Sequence, residues 1–247
     1  MMKRADIRFY EELNDFLPAS KRKTRYGITF TGTPSVKDVI EAQGVPHTEI
    51  DMILINGISA GFKRKLKGGE DISVYPVFES FDVSKVQRLR GKPLRRPKFV
   101  LDVHLGTHSR YLRMLGFDAL YSNNFTDPEI VNISVEEKRC ILTRDLGILK
   151  HSAVVRGYWI RNSNPLKQVE ETVKRFQLQK EIKEFSRCVH CNSKLKRISK
   201  KKIEAELLPK VKMLQNDFTC CTNCGRIYWK GTHYNKMLNL IEHLRKE

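Results

Sequence analysis

The chain has 247 residues, 40% of them apolar, with 46 Lys and Arg against 28 Asp and Glu for a net charge of +18. That much apolar material excludes a disordered chain and supplies one or two packed cores. No run approaches the roughly 18 apolar residues of a membrane span, and the start MMKRADIRFYEEL has no apolar secretion core. A cytoplasmic protein with no membrane partner is expected, and in that compartment six cysteines read as metal ligands or free thiols.

Ala5 to Tyr10 alternates as a strand does, and Glu11 to Leu17 reads as a short helix stopped by Pro18. Tyr26 to Phe30 is a second strand. Ser35 opens a helix over Val36 to Gln43, closed by Gly44. Asp51 to Ile55 is strand-like, Asn56-Gly57 is a hairpin turn, and Ile72 to Val77 is a further strand. Strand, strand, helix, strands is the order of an α+β β-grasp domain, expected over residues 1–81. The Ser35-Val36-Lys37-Asp38-Val39-Ile40 helix, the Leu54-Ile55-Asn56-Gly57 turn and Gly68-Gly69-Glu70-Asp71-Ile72-Ser73-Val74 resemble the ubiquitin-like sulphur carriers of thiamine and molybdopterin synthesis. Those carriers end in a free Gly-Gly that is adenylated. Here the chain continues through Phe78-Glu79-Ser80-Phe81, so the resemblance implies docking to a protein partner rather than sulphur transfer.

The charge is uneven. Residues 1–80 hold 12 Lys and Arg against 11 Asp and Glu, whereas residues 81–247 hold 34 against 17. Such a step marks a domain boundary and points to a polyanionic partner, RNA among them, for the basic part. Residues 82–97 form a basic linker, which suits a solvated tether or a phosphate contact equally.

Residues 98–180 alternate strands with helices: Phe99 to Val103, Phe117 to Tyr121, Arg139 to Thr143 and Val154 to Ile160 as strands; Thr107 to Leu115, a helix opened by Asp127-Pro128-Glu129, Leu146 to Lys150 and Pro165 to Gln177 as helices. This spacing makes an α/β fold, a parallel sheet with helices on its faces. Ligands bind beyond the carboxyl ends of such strands. Asp102, Asp127 and Asp145 all fall near these ends. Gathered carboxylates repel one another unless a cation holds them, and hard oxygen donors select Mg²⁺ or Mn²⁺. Asp127 and Asp145 also fit the role of helix caps. Asp102 interrupts an apolar strand and needs a partner.

Asp102 with Leu105-Gly106, the run Arg110 to Asp118, Tyr121-Ser122-Asn123 and Leu142-Thr143-Arg144-Asp145 resemble the PIN-like ribonuclease domain of the Mut-seven C-terminal RNase family, over about Pro97 to His243. The resemblance implies a PIN-like fold and metal-dependent RNA cleavage, with Asp102, Asp127 and Asp145 as catalytic acids and Glu129 as an auxiliary. Where PIN nucleases commonly carry a fourth acidic or amide residue, this chain has Asn162 and Asn164. Arg110, Arg113 and Arg144 are candidate RNA contacts, the first two sharing a helix face, and ordinary solvated arginines are the alternative. His104 and His108 suit local hydrogen bonding or acid–base work. Structured RNA, tRNA and rRNA all remain open as substrates. A non-cleaving RNA-binding protein or adaptor of the same fold is the alternative function.

Residues 181–247 carry Cys188-x-x-Cys191 and Cys221-x-x-Cys224-Gly225. Two such knuckles supply four thiolates to a tetrahedral, structural Zn²⁺ in a zinc-ribbon lobe. Asn192 and Gly225 suit the knuckle turns, and the register favours Cys221 over Cys220. Cys140 reads as a core residue. Tyr228, Trp229 and Tyr234 either stack bases or cover the small metal core. Tyr234 to Lys246 is an amphipathic helix.

Overall fold

The computed structural model describes residues 1–76, 89, 97–232 and 234–246. Most of the predicted linker therefore lies outside the described residues, as do Phe78 to Phe81. The chain divides into two compact units, Met1–Arg95 with Asp145–Trp159, and Arg96–Arg144 with Ile160–Glu247. The elements in chain order are β1 (Met2–Phe9), β2 (Arg25–Thr31), α1 (Val36–Ala42), β3 (Ile50–Ile55), β4 (Ile58–Ala60), β5 (Asp71–Pro76) and β6 (Phe99–Leu101). They continue with α2 (Gly106–Met114), β7 (Ala119–Leu120), α3 (Asp127–Glu136), β8 (Cys140–Thr143), α4 (Leu146–Lys150), β9 (Gly157–Trp159) and α5 (Pro165–Arg175). The last are β10 (Leu195–Ile198), α6 (Lys200–Ile203), α7 (Pro209–Leu214), β11 (Phe218–Cys221), β12 (Ile227–Trp229) and α8 (Tyr234–Lys246).

In the first unit the sheet order is β2-β1-β5-β3-β4, with β1 antiparallel to β2 and parallel to β5. This is the β-grasp arrangement. Ser35 caps α1 through a reciprocal pair: the Asp38 backbone N–H donates to Ser35 Oγ at 3.2 Å, and the Ser35 N–H donates to Asp38 Oδ2 at 3.0 Å. Asn56 and Gly57 both take positive φ, 52° and 77°, as the two-residue turn between β3 and β4 demands. Glu11–Phe16 forms a 3-10 helix. Ile7, Phe9, Leu13, Ile40, Ile53 and Ile72 are part of the buried core. Residues 145–159, which carry β9, group with this unit: the Trp159 backbone N–H donates to Glu49 Oε1 at 2.6 Å, and Trp159 packs on Phe16 with ring centroids 5.1 Å apart.

In the second unit β6 is flanked by β7 and β8, all parallel. Helix α3 carries the chain from one side of β6 to the other, so the switch point of the sheet lies at β6 and β8. Strands β10, β11 and β12 make a separate antiparallel sheet that carries the second cysteine pair. Among the described residues, no helix is long and apolar enough to cross a membrane.

Gly116 ends α2 with φ 92°, and a methyl group there would stand 2.2 Å from the Lys183 carbonyl oxygen. The backbone around it is pinned by Lys183 N–H to Leu115 O at 2.9 Å and Phe185 N–H to Met114 O at 2.8 Å. Gly116→Ala combines a left-handed backbone with a main-chain clash, and should cost about 3 kcal/mol or more of unfolding free energy. A urea midpoint no lower than wild type would contradict this.

Candidate functional site

Phe99, Val100 and Leu101 are fully buried, and Asp102 follows directly at the carboxyl end of β6, only 3% exposed. Its Oδ2 accepts the Thr143 hydroxyl hydrogen bond at 2.7 Å, and its backbone N–H donates to the Leu142 carbonyl at 3.1 Å. β8 thus fixes the carboxylate of β6 at the switch point.

The other two acids stand in the open. Asp127 is exposed at the first turn of α3, and the N-cap is Thr126, not Asp127 as the Asp-Pro pair predicts. The reason is a Thr-x-x-Glu box: the Glu129 carboxylate accepts from the Thr126 backbone N–H at 2.7 Å and its hydroxyl at 2.8 Å. These bonds hold the Glu129 carboxyl below its usual range and commit it to the cap. Asp145, two residues beyond β8, caps α4 by accepting the Gly147 N–H at 2.6 Å. Asn164 caps α5, and Asn162 Nδ2 donates to Glu171 Oε2 at 2.8 Å, so both amides are engaged locally. An acid does stand at this strand end: Glu171 reaches back from α5 and takes the Arg161 N–H at 2.9 Å. Sequence order alone hides it.

The three predicted arginines separate. Arg110 is exposed on α2 and, with His190 and Arg226, lines a cavity of about 600 Å³. Arg144 is exposed, with Nη1 on the Asn162 carbonyl at 3.2 Å. Arg113 is only 3% exposed, which removes it as a phosphate contact. Its Nε donates to the Ala119 carbonyl at 2.8 Å, and Nη1 to those of Val189 at 3.1 Å and His190 at 2.7 Å. A guanidinium spent on three main-chain oxygens is a strut between α2, β7 and the first cysteine knuckle, and its burial lowers its pKa.

Asp118 is a second tie that the sequence conceals. It accepts from Arg139 Nη1 at 2.6 Å, Arg187 Nη2 at 3.3 Å and Asn192 Nδ2 at 2.8 Å. Burial opposes its ionisation, but these donors hold its carboxyl below the usual range.

His108 is fully buried in α2, its Nε2 3.1 Å from Thr172 Oγ1. Thr172 already donates to the Gln168 carbonyl at 2.8 Å, so Nε2 carries the proton and the ring is neutral. Burial pushes its pKa down to about 3 from the ordinary 6.5. His104 is exposed. The depressed value makes stability complete above pH 6.5 and lost as the pH falls toward 3. Between pH 7 and pH 5 this group should remove about 2 kcal/mol, a loss absent from His108→Gln. Equal pH slopes for the two proteins in chemical denaturation would refute the assignment.

Cys188, Cys191, Cys221 and Cys224 place their sulfurs within 4.8 Å of one another. Cys188 to Cys224 is 3.6 Å and Cys191 to Cys221 is 3.3 Å. Sulfurs at ~2.3 Å from a tetrahedral ion stand about 3.8 Å apart, so the donors fit zinc. Cys220 lies outside the quartet, its Sγ 3.3 Å from the Gly225 carbonyl oxygen, and Cys140 is buried in β8. The knuckle turns sit at Asn192, φ 69°, and Gly225, φ 71°. Backbone N–H groups of Cys191, Asn223 and Cys224 lie 3.4–3.5 Å from the sulfurs, and the Tyr228 hydroxyl is 3.0 Å from Cys188 Sγ. Among the described residues, no other group of three or more His, Cys, Asp or Glu is close enough to hold one ion, and the three aspartates do not form one.

The chain thus combines a β-grasp domain with a parallel α/β domain that ties in a four-cysteine group able to hold a metal ion. Residues 97–241 match the family model of the Mut7-C RNAse domain, and residues 2–82 match that of the Mut7-C ubiquitin domain. The chain belongs to the Mut7-C RNAse family. No curated protein and no solved structure matches it significantly.

Proposed function

We propose that the protein is a cytoplasmic ribonuclease that hydrolyses RNA phosphodiester bonds with Mg²⁺ or Mn²⁺, and that its cysteine quartet holds a structural zinc. The observation that carries this reading is Asp102: a buried carboxylate at the switch point of a parallel sheet, hydrogen-bonded by a neutral hydroxyl. Hard carboxylate oxygens suit such an ion, with the buried Asp102 as its anchor; Asp127 and Asp145, which do not form a closed set with it as they stand, would have to be drawn in by the ion. When bound, it supplies Lewis-acid activation of water and charge for the phosphodiester transition state. Thr143 keeps one oxygen of Asp102 oriented, and the Gly147 N–H does the same for Asp145. Arg144, beside Asp145 and exposed, meets the RNA backbone. Four sulfurs leave no open position at the zinc, which therefore takes no part in the chemistry. The ubiquitin-like domain recruits a protein partner.

The second reading is an RNA-binding adaptor without turnover. It is favoured by Glu129 and Asp145 each spending carboxylate oxygens on a helix cap. Single-turnover cleavage of mixed RNAs with Mn²⁺ decides between them. Wild type cutting no faster than the Asp102→Asn, Asp145→Asn double variant would end the ribonuclease reading.

A further inference from the structure

The cysteine lobe carries more basic and aromatic surface than a structural metal needs. Residues 181–247 hold 15 Lys and Arg against 7 Asp and Glu. A cavity of about 470 Å³ has Arg197, Lys230 and Trp229 in its lining. A second, of about 490 Å³, has Lys210 and again Trp229. Tyr228, Trp229, Tyr234 and Met237 line both and form the wall between them. Tyr228 also lines the cavity of Arg110, His190 and Arg226, so all three hollows share this side chain in their walls.

The aromatics of this wall are not equivalent. The Tyr228 hydroxyl is committed to Cys188 Sγ at 3.0 Å, and Tyr234 packs against Phe185 with centroids 5.1 Å apart and the ring planes tilted by 31°. Trp229 is 41% exposed at the seam of the two cavities. Each cavity is within the roughly 300–1,000 Å³ of small-ligand pockets. An exposed indole offers a face to any base, and the Arg197 and Lys210 cations beside it suit phosphates, whereas Lys230 is already paired with Asp217 at 3.8 Å. A ligand that is both aromatic and polyanionic fits this combination, and single-stranded nucleic acid has both properties.

We propose that the cysteine lobe is a single-stranded RNA platform, with bases stacking on Trp229 in the paired cavities and backbone phosphates lying on Arg110, His190 and Arg226. This rests on the reading that the protein acts on RNA, and it assigns strand holding to a part of the molecule separate from the acids.

The test uses the full-length, zinc-loaded protein and a fluorescein-labelled unstructured RNA of about 12 nucleotides, without Mg²⁺ or Mn²⁺, read by anisotropy. Trp229→Ala should weaken binding at least about five-fold with one zinc per chain retained, and Trp229→Phe should restore most of it. Arg110→Ala with Arg226→Ala should weaken it too and flatten the salt dependence by roughly 1.4 in log–log slope. An abasic strand of the same length should bind wild type and Trp229→Ala alike. Trp159 is the other of the two tryptophans, so Trp159→Phe leaves Trp229 as the sole reporter, and RNA should quench its emission.

RNA bound equally well by zinc-loaded Trp229→Ala, or Trp229 emission unchanged at saturation, would overturn the platform. Cleavage that still depends on Asp102 would in that case leave the ribonuclease reading standing. No RNA binding by wild type at all would overturn both. Self-association abolished by Trp229→Ala, with RNA binding intact, would give the face to a second copy of the chain instead.

Discussion

Asp102→Asn is expected to lower Mn²⁺-dependent RNA cleavage by at least about 100-fold while leaving the melting temperature unchanged or raised. A hard cation contributes several kcal/mol of charge stabilisation in such chemistry, and each 1.36 kcal/mol is tenfold in rate. The substitution is nearly isosteric, and an amide oxygen can still accept the Thr143 hydroxyl that stands 2.7 Å from Oδ2. What disappears is a negative charge buried at 3% exposure, whose desolvation the folded state otherwise bears. Opposite movements of activity and stability separate a catalytic carboxylate from a structural one. If activity and melting temperature fell together, Asp102 would be a fold determinant. Asp145→Asn makes a matching case, because Asn caps a helix as well as Asp does and only the charge is lost.

Stripping the cysteine site should produce the largest loss of stability. Cys188→Ser with Cys221→Ser is expected to release the zinc and lower the melting temperature by about 10 °C or more, given that structural zinc is worth many kcal/mol and 1 kcal/mol moves a domain of this size by about 2–4 °C. The effect should spread beyond the knuckles, because Arg113 uses the Val189 and His190 carbonyls and Asp118 uses Asn192. Zinc analysis and thermal melting on the same samples check this. Metal content unchanged by the double substitution would remove the site, and an unchanged melt would remove its structural role.

Much of the architecture was legible in the chain because it depends on local signals. Ser35 as a helix opener, Asn56-Gly57 and the two Cys-x-x-Cys pairs each specify a conformation within a few residues, and all four take the expected form. Asp102 was legible for another reason, since an acid ending an apolar run is conspicuous. Side-chain reach was not legible. Arg110 and Arg113 share a helix face by spacing, yet one is exposed and the other is buried beneath the knuckle, because the chain some 76 residues later decides which is covered. Glu129 resembled an auxiliary of the metal-binding acids and is a cap, and Glu171, which nothing in its local sequence singles out, closes a loop. Nor does periodicity show that residues 145–159 group with the first unit, where the wholly buried Glu49 receives the Trp159 N–H.

The triple grip on Asp118 also has a meaning for how the chain can be divided. The sequence suggests a cut near residue 180, between a catalytic part and a metal-bearing appendage. Yet the buried guanidinium of Arg113 takes two of its acceptors from beyond that point, and Asp118 two of its donors. A fragment ending there would keep charges in its interior whose neutralising groups had been removed with the tail. The cysteine segment is thus a completing piece of the α/β domain, and a fragment ending near residue 180 is expected to be less stable than one that keeps it.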